Sequence, residues 1–491
     1  MATTRAVIIG GSMAGLCAGR VLSEFFDRII VIERDCYPTG IADRAGVPQG
    51  RHFHSLLTRG ISELERLFPG FRQTCLERGA TLIEPALETV SLSRTGWAGY
   101  YRTGLLNLAA SRALTESVVR DHFRRLSNVE VLENTSVTGL EISARRPRRC
   151  TGVRGRPREG GGGVTIDADL VVDASGSNSR IPQWLREAGI EPPKETIVDP
   201  HGGYASRFYR APIAKWPSDW WWKGIQVPRT YSREHFDATS VYFGKLEGEL
   251  WHLSIQALGQ RPPRDEEEFN AHIGKLRTPL VHEMVQVMDP VSPVYGAGSL
   301  HNHRRHYERW NDSLGGFVAL GDAVCRLNPL AAQGMTAAAV SATILRDLLN
   351  RLGPASPQLP RQFFTAQARF QKDPFRIAAG ADLRFPFTDG ARTMSLRLFN
   401  RYMDAVSLAV ANPTVRLRLS EVMRLVKPVS ALLEPAVMSR AAWAGVRLVA
   451  RRAAGKVSGN GRVAEPATPA AQSGGLPPRP LSTSIAAAER T

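Results

Sequence analysis

Much that would narrow the function of this 491-residue chain is missing from it. Its five cysteines, Cys17, Cys36, Cys75, Cys150 and Cys325, are odd in number and scattered, with no C-x-x-C pair. That spacing argues against a disulfide framework and a cysteine-rich zinc site, and it fits a reducing compartment. No metal site is expected. No run of about eighteen apolar residues occurs, so no membrane-spanning helix is expected. A strand that begins by residue 6 leaves no room for a secretory leader, and the expectation is a cytoplasmic protein. Motifs for nucleic-acid binding are also missing, so no nucleic-acid partner is expected despite a formal charge of +17. That charge is unevenly placed: from Ala391 onward there are fifteen Lys or Arg against five Asp or Glu. Such a balance fits either a solvated arginine-rich face or contact with an anionic membrane surface. With 22% charged and 43% hydrophobic residues, the chain reads as globular, with room for two or three domains.

The densest signal is at the start. Ala6-Val-Ile-Ile9 reads as a buried parallel strand, Gly10-Gly-Ser-Met-Ala-Gly15 as a tight turn, and Leu16, Ala18, Val21, Leu22 and Phe25 as a helix. A second apolar run, Ile29 to Ile32, ends on Glu33 and Arg34. Strand, glycine turn, helix and strand is the order of a dinucleotide site. Gly10 turns the chain off the strand. Gly11, Ser12 and Ala14 are small enough for the backbone to approach a diphosphate, and Gly15 lets the helix pack closely. The anion would sit on the helix N-terminus. Ser12 stands where the G-x-G-x-x-G fingerprint has its middle glycine. Glu33 is placed to accept from a ribose diol, which favours FAD or NAD over NADP.

Further along, Arg44-Ala-Gly-Val-Pro-Gln-Gly-Arg-His-Phe-His54 mixes positive charge with turn residues. Arg44 and Arg51 are candidates to meet a phosphate, and Gln49 to bond a ring edge; His52 and His54 read as packing histidines. Leu57 to Phe68 reads as an amphipathic helix, 81–102 as short antiparallel strands, and Leu105 to Leu126 as a helix with Arg112 near its start. Strands are expected at Val129–Leu132 and Val137–Ile142. Arg145 to Gly163, rich in Arg and Gly, reads as the tip of a hairpin. Ser240 to Leu258 reads as a hairpin turning near Gly248. Trp220-Trp-Trp222 reads as a hydrophobic wall: it has the W-x-W start of the flavin-halogenase motif, but Lys223-Gly-Ile-Gln226 breaks the remainder, and no halogenase-type lysine follows the first motif.

Two more motifs carry chemistry. Asp169-Leu-Val-Val-Asp-Ala-Ser-Gly-Ser-Asn-Ser-Arg180 is a strand that ends on Asp173 and continues through Gly176. Gly315-Gly-Phe-Val-Ala-Leu-Gly-Asp-Ala323 is a strand that ends on Gly321-Asp322, followed by Asn328-Pro-Leu-Ala-Ala-Gln-Gly-Met-Thr336 and a long small-residue helix. An acid at a strand end can hold a polyol hydroxyl, and Gly334-Met335-Thr336 at a helix start offers amides and a positive dipole end.

With these three motifs in this order, the chain resembles the FAD-dependent monooxygenases of the p-hydroxybenzoate hydroxylase fold over about residues 4 to 390. Gly46-Val-Pro-Gln-Gly-Arg-His and Asp382-Leu-Arg-Phe-Pro386 are most similar to its squalene-epoxidase-like branch, which includes bacterial polyketide epoxidases. The resemblance implies an α/β fold: a Rossmann-type FAD-binding domain with a three-layer, mostly parallel sheet, an antiparallel-sheet substrate domain and a C-terminal helical region. The implied boundaries are 1–180 with 300–355 for FAD (70–104 serving the substrate side), 181–299 for substrate, 356–455 helical, and 456–491 a disordered tail. It implies FAD contacts at Gly10, Gly11, Ser12, Ala14, Gly15, Glu33, Arg34, Arg44, Gln49, Arg112, position 136 (Ser136, beside Val137), Asp173, Gly176, Gly321, Asp322, Pro329, Gly334 and Met335. The implied reaction inserts one oxygen atom of O2, by way of a flavin hydroperoxide, into an apolar alkene or an electron-rich substrate in secondary metabolism. NAD(P)H or a partner flavin reductase would supply electrons. Because the cofactor carries the chemistry, no acid–base side chain is assigned as catalytic. A flavin-dependent reductase of isoprenoid double bonds and a non-catalytic flavin-binding protein are the alternatives. In 360–455, Leu398, Tyr402, Val406 and Ala409 share a helix face, with breaks at Pro413, Pro428 and Pro435. The basic end of this region could cap the substrate chamber or touch a membrane peripherally.

Overall fold

Ala6-Val7-Ile8-Ile9 shows no polar alternation, and the computed structural model gives the reason: strand β1 (Arg5–Ile9) is the centre of its sheet, and its apolar residues are buried on both faces. The structure describes residues 3–93, 96–212, 216–231, 236–298, 300–329 and 332–457. They fall into two units. The first consists of Met1–Gly79, Ala110–Val198 and His301–Ala379, and the second of Ala80–Ala109, Asp199–Leu300 and the described residues from Gly380 on.

In the first unit β1 is flanked by β2 (Arg28–Ile32) on one side, which pairs in turn with β3 (Val129–Leu132). On the other side lies β4 (Leu170–Asp173), followed by β5 (Phe317–Ala319). All four pairings are parallel, giving the order β5-β4-β1-β2-β3. The order reverses between β1 and β4, and the carboxyl ends of the strands there form the crevice in which ligands bind such sheets. Register places Ile9 beside both Ile32 and Asp173, and Asp173 beside Ala319, so the three motifs leave the sheet at one edge. Helix α1 (Met13–Leu22) and helix α2 (Gly334–Leu352) pack on each other, both rich in small buried residues.

The expected helix over Leu105 to Leu126 is shorter, because Asn107–Ala109 is a strand paired with Thr81–Ile83. Ser111 stops the helix from extending upstream: its hydroxyl accepts from Leu114 N–H and caps helix Arg112–Phe123. The stretch Arg145 to Gly163 is not one hairpin tip. Its middle, Cys150–Pro157, pairs antiparallel with Thr135–Ile142 and with Val164–Asp167. Cys150, Gly152, Val153 and Gly155 are buried between exposed neighbours, an alternation that the Arg and Gly content hides. Within 81–102, a helical turn at Pro85–Glu88 interrupts the strands.

The second unit is built on an eight-stranded sheet. Its centre is the hairpin Thr239–Lys245 and Leu250–Ala257, with Gly248 at the turn in the left-handed region (φ 58°). One face is apolar. Phe243, Trp251, Leu253, Trp220 and Trp222 on it pack with residues of helices Glu266–Gly274 and Leu280–Val287, which composition did not announce. The opposite face carries Ser206, Ser240, His252, Ser254 and Gln256, all buried. Ser206 donates to Ser254 (2.9 Å).

Helices Met394–Leu408, Pro413–Met423 and Pro435–Val457 follow, with Pro413 and Pro435 at first-turn positions that need no N–H donor. Leu398 does not join the packed face: it is 56% exposed, one position off the stripe set by buried Phe399 and Val406. The expected tail lies outside the described residues except for its first two, which end the last helix. Among the described residues, no helix is long and apolar enough to cross a membrane.

Candidate cofactor site

The crevice is assembled by close approaches that leave no space for a Cβ. Gly10 has φ 97°, and a Cβ there would stand 2.6 Å from the carbonyl oxygen of Ala174; one at Gly15 would stand 1.8 Å from that of Gly10. Gly321, with φ 68°, would meet Ala14 at 2.7 Å. The first motif is thereby held against the second through Gly10 and against the third through Ala14. Gly334, which opens α2, lies beside the Asp322 carboxylate: a Cβ there would be 4.0 Å from Oδ1.

Around the turn stands a buried ion network. Glu33, at the end of β2, accepts from Gly11 N–H (2.8 Å) and from Asp35 N–H (3.1 Å). Arg44, with 3% of its side chain exposed, places Nη1 3.2 Å from Glu33 Oε2 and Nη2 2.8 Å from Glu116 Oε1. Arg112 donates to Glu116 Oε2 (2.7 Å) and to Ser12 Oγ (2.8 Å), and Ser12 donates in turn to Glu116 Oε2 (2.9 Å). Ser12 is the N-cap of α1, yet its side chain makes no capping bond to the helix's first turn. Tyr37 donates to Gly11 O (2.6 Å) and lies under Arg44, Arg120 and Arg124 at 5.1 to 5.3 Å. Burial raises the Glu116 carboxyl, but Arg112 and Arg44 more than offset this and the net shift is downward, so Glu116 is an anion at neutral pH.

Not every expected residue joins this cluster. Asp173 is fully buried, and its carboxylate accepts from Ser175 Oγ (2.5 Å), Ser175 N–H (3.0 Å) and Ser179 Oγ (2.6 Å), so it shapes its own loop. Burial raises its carboxyl above the usual range against those hydrogen bonds. Asp322 is partly buried and likewise raised by burial, with Arg326 and Arg112 opposing. Gln49 and Arg34 are exposed; Gln49 sits on the turn Pro48–Arg51, and Arg34 donates to Gly46 O (3.3 Å). Arg51 is exposed and sits 3.8 Å from Asp43. Gly176 has φ 84° with open space around it, Ser136 and Pro329 are partly buried, and Met335 is buried in the first turn of α2. His52 is buried; His54 lies with Nδ1 2.9 Å from His52 O, and burial together with the Arg112 charge pushes its ring down to about 4.

Sequence reasoning missed Glu116, Tyr37 and Arg120. Glu116 had a usable signal, since it stands four residues after Arg112 on a helix face. The donor set fits the diphosphate of a dinucleotide. A buried guanidinium whose Nε has no hydrogen-bond acceptor among the described residues, a second one beside it, and a helix start left uncapped by its own N-cap side chain all converge on the glycine turn.

A parallel sheet with a glycine turn at its switch point and buried arginines beside it defines a dinucleotide-binding protein. The model of the FAD-binding-domain family matches residues 3–359, and the chain belongs to that family. It is 33% identical over 360 residues to Protein Rv3254 of Mycobacterium tuberculosis (strain ATCC 25618 / H37Rv), covering 70% of this chain and 72% of the relative. Solved structures share the fold at low identity. The flavin-dependent brominase Bmp2 aligns with a TM-score of 0.63 and 15% identity, over 91% of this chain and 100% of that one. A flavoprotein/dehydrogenase from Cytophaga hutchinsonii gives 0.60 and 15%, over 91% and 99%. The P. aeruginosa protein pqsL, described as a probable FAD-dependent monooxygenase, gives 0.54 and 16%, over 77% and 96%.

Proposed function

We propose that the protein is an FAD-dependent monooxygenase that transfers one oxygen atom of O2 to an alkene or an electron-rich ring, with NAD(P)H or a partner reductase as electron donor. The observation that carries this reading is the placement of Gly321-Asp322 against Ala14 and beside the amino end of α2, which sets an acid and a helix dipole at the crevice. Reduced flavin, when bound, supplies the activation of O2. The chain's own residues do the rest. Arg44 and Arg112 hold the diphosphate, Asp322 accepts from a polyol hydroxyl, and the positive end of α2 stabilises negative charge that develops nearby. Fold neighbours named as a monooxygenase and as a brominase both support an oxygen-using flavoprotein. Halogenation is disfavoured because the chain has no lysine before Lys194 and Trp220 and Trp222 are buried in the core of the second unit.

Turnover of phenols and functionalised polyenes under isotopically heavy O2, with NADPH or NADH, tests the reading by mass spectrometry. A product carrying one heavy oxygen atom is expected. Reduction of the substrate's double bond under argon, without oxygen uptake, would replace this reading with that of a reductase.

A further inference from the structure

Two guanidinium groups suited to an anion already hold one in this fold. Glu116 is 4% exposed, and each of its oxygens faces a cation: Oε1 lies 2.8 Å from Arg44 Nη2, and Oε2 accepts from Arg112 Nη2, Arg112 Nε (3.1 Å) and Ser12 Oγ. Ser12 thereby turns its hydroxyl away from the start of α1 and toward a carboxylate contributed from helix Arg112–Phe123, 104 positions along the chain. The pairing is nonetheless incomplete in hydrogen bonds. Among the described residues, Arg44 Nε and Nη1 lack an acceptor of good geometry, as Glu116 Oε1 lacks a donor, although the charges are adjacent. A small cavity lined by Arg44, Val47, Gly50, Arg112, Glu116 and Arg120 opens onto the same groups.

We infer that Glu116 is a positioning residue that stands in for the cofactor's diphosphate. Its carboxylate holds Arg44, Arg112 and Ser12 at the glycine turn of the empty protein and must yield part of that pairing when FAD binds. The physical basis is a cycle. Without a cofactor, the carboxylate neutralises Arg112 and shares the neutralisation of Arg44 with Glu33, two cations that burial makes costly to leave unmatched. With the cofactor, the diphosphate supplies that neutralisation, and a third anion within reach of the same cations repels it. Glu116 therefore favours the empty form and keeps cofactor affinity below what the two arginines alone would give. This rests on the family's FAD site and not on the oxygenation chemistry.

The test is titration of the flavin-free full-length chain with FAD by flavin fluorescence, together with melting of the empty and loaded forms. E116Q keeps the side chain's shape and removes its charge. It is expected to lower the melting temperature of the empty protein by roughly 5 °C, to bind FAD about tenfold more tightly, and to melt close to wild type when loaded. E116D withdraws the carboxylate from Arg44 by one methylene. It is expected to bind FAD more tightly than wild type by about threefold, and it keeps the test decisive if E116Q does not fold. Inorganic pyrophosphate is expected to raise the melting temperature of either variant more than that of wild type. Weaker or unchanged FAD binding in the folded variants, with stability lost equally in the empty and loaded forms, would make Glu116 a structural support and overturn the inference.

Discussion

Gly15→Ala yields a chain that carries no flavin through purification and melts well below wild type. The added Cβ would stand 1.8 Å from the Gly10 carbonyl oxygen and 3.3 Å from Ile8 Cγ2. Both neighbours belong to β1 or the turn directly after it, and neither is the flexible end of a side chain that could swing aside. Relief therefore needs α1 to lift off the sheet, at a cost of about 3 kcal/mol or more. The same shift moves the first-turn amides away from the Arg44 and Arg112 side chains, so that an anion can no longer meet all of them. A loss of FAD affinity of about a hundredfold or greater is expected. Flavin content by absorbance and thermal melting check this. A variant with full flavin content would show that close helix packing is not what the site requires.

Arg229→Met has the largest expected effect on the second unit. Arg229 Nη2 lies 2.6 Å from Asp382 Oδ1, and the two side chains are 8% and 0% exposed. Arg229 also lies 5.6 Å from the Phe385 ring centre. Around it, Thr388 Oγ1 donates to the Asp382 carbonyl (2.8 Å), and Arg392 donates to the carbonyls of Leu383, Phe385 and Thr388. The motif Asp382-Leu-Arg-Phe-Pro386 is thus a clasp within this unit. Removing the cation takes from the fully buried Asp382 carboxylate the guanidinium at 2.6 Å, at an expected cost of about 3–5 kcal/mol. A double variant with Asp382→Leu should recover most of that, since replacing both partners by apolar groups is often neutral. Seven of the nine tryptophans fall in this unit's segments, so urea unfolding followed by tryptophan fluorescence reads it directly. A loss below about 1 kcal/mol for Arg229→Met, the range of exposed pairs, would show that water reaches the pair.

What could be read ahead of the structure follows from how local each signal is. The β1-turn-α1-β2 unit was legible because its strands are uniformly apolar, its turn is made of small residues and its acid stands at a strand end, all within thirty-five residues. The convergence of the second and third motifs followed from their shared form, an apolar strand closing on an acid. The ion network was not legible. Glu33, Arg44 and Glu116 meet across more than eighty positions, and only the Arg112–Glu116 spacing betrayed any of it. Strand Asn107–Ala109 was hidden for a related reason: three residues carry no period, and their partner is Thr81–Ile83. The polar face of the second unit escaped for a different one. Alternation in Ser240 to Leu258 marks a strand with one apolar side, and it is silent on whether the other side meets solvent or is covered. There the serines, Gln256 and His252 turned out to be buried.

The measurement closest to the central claim is the titration of flavin-free protein with FAD and with FMN. In the proposed site the glycine turn, the helix start, Glu33, Arg44 and Arg112 would meet the diphosphate and adenosine half of the cofactor, which FMN lacks apart from one phosphate. FAD is predicted to bind at one per chain, with FMN weaker by about a hundredfold or more. Equal affinity for the two flavins would contradict the account, because it would place the binding energy away from the turn that organises the first unit.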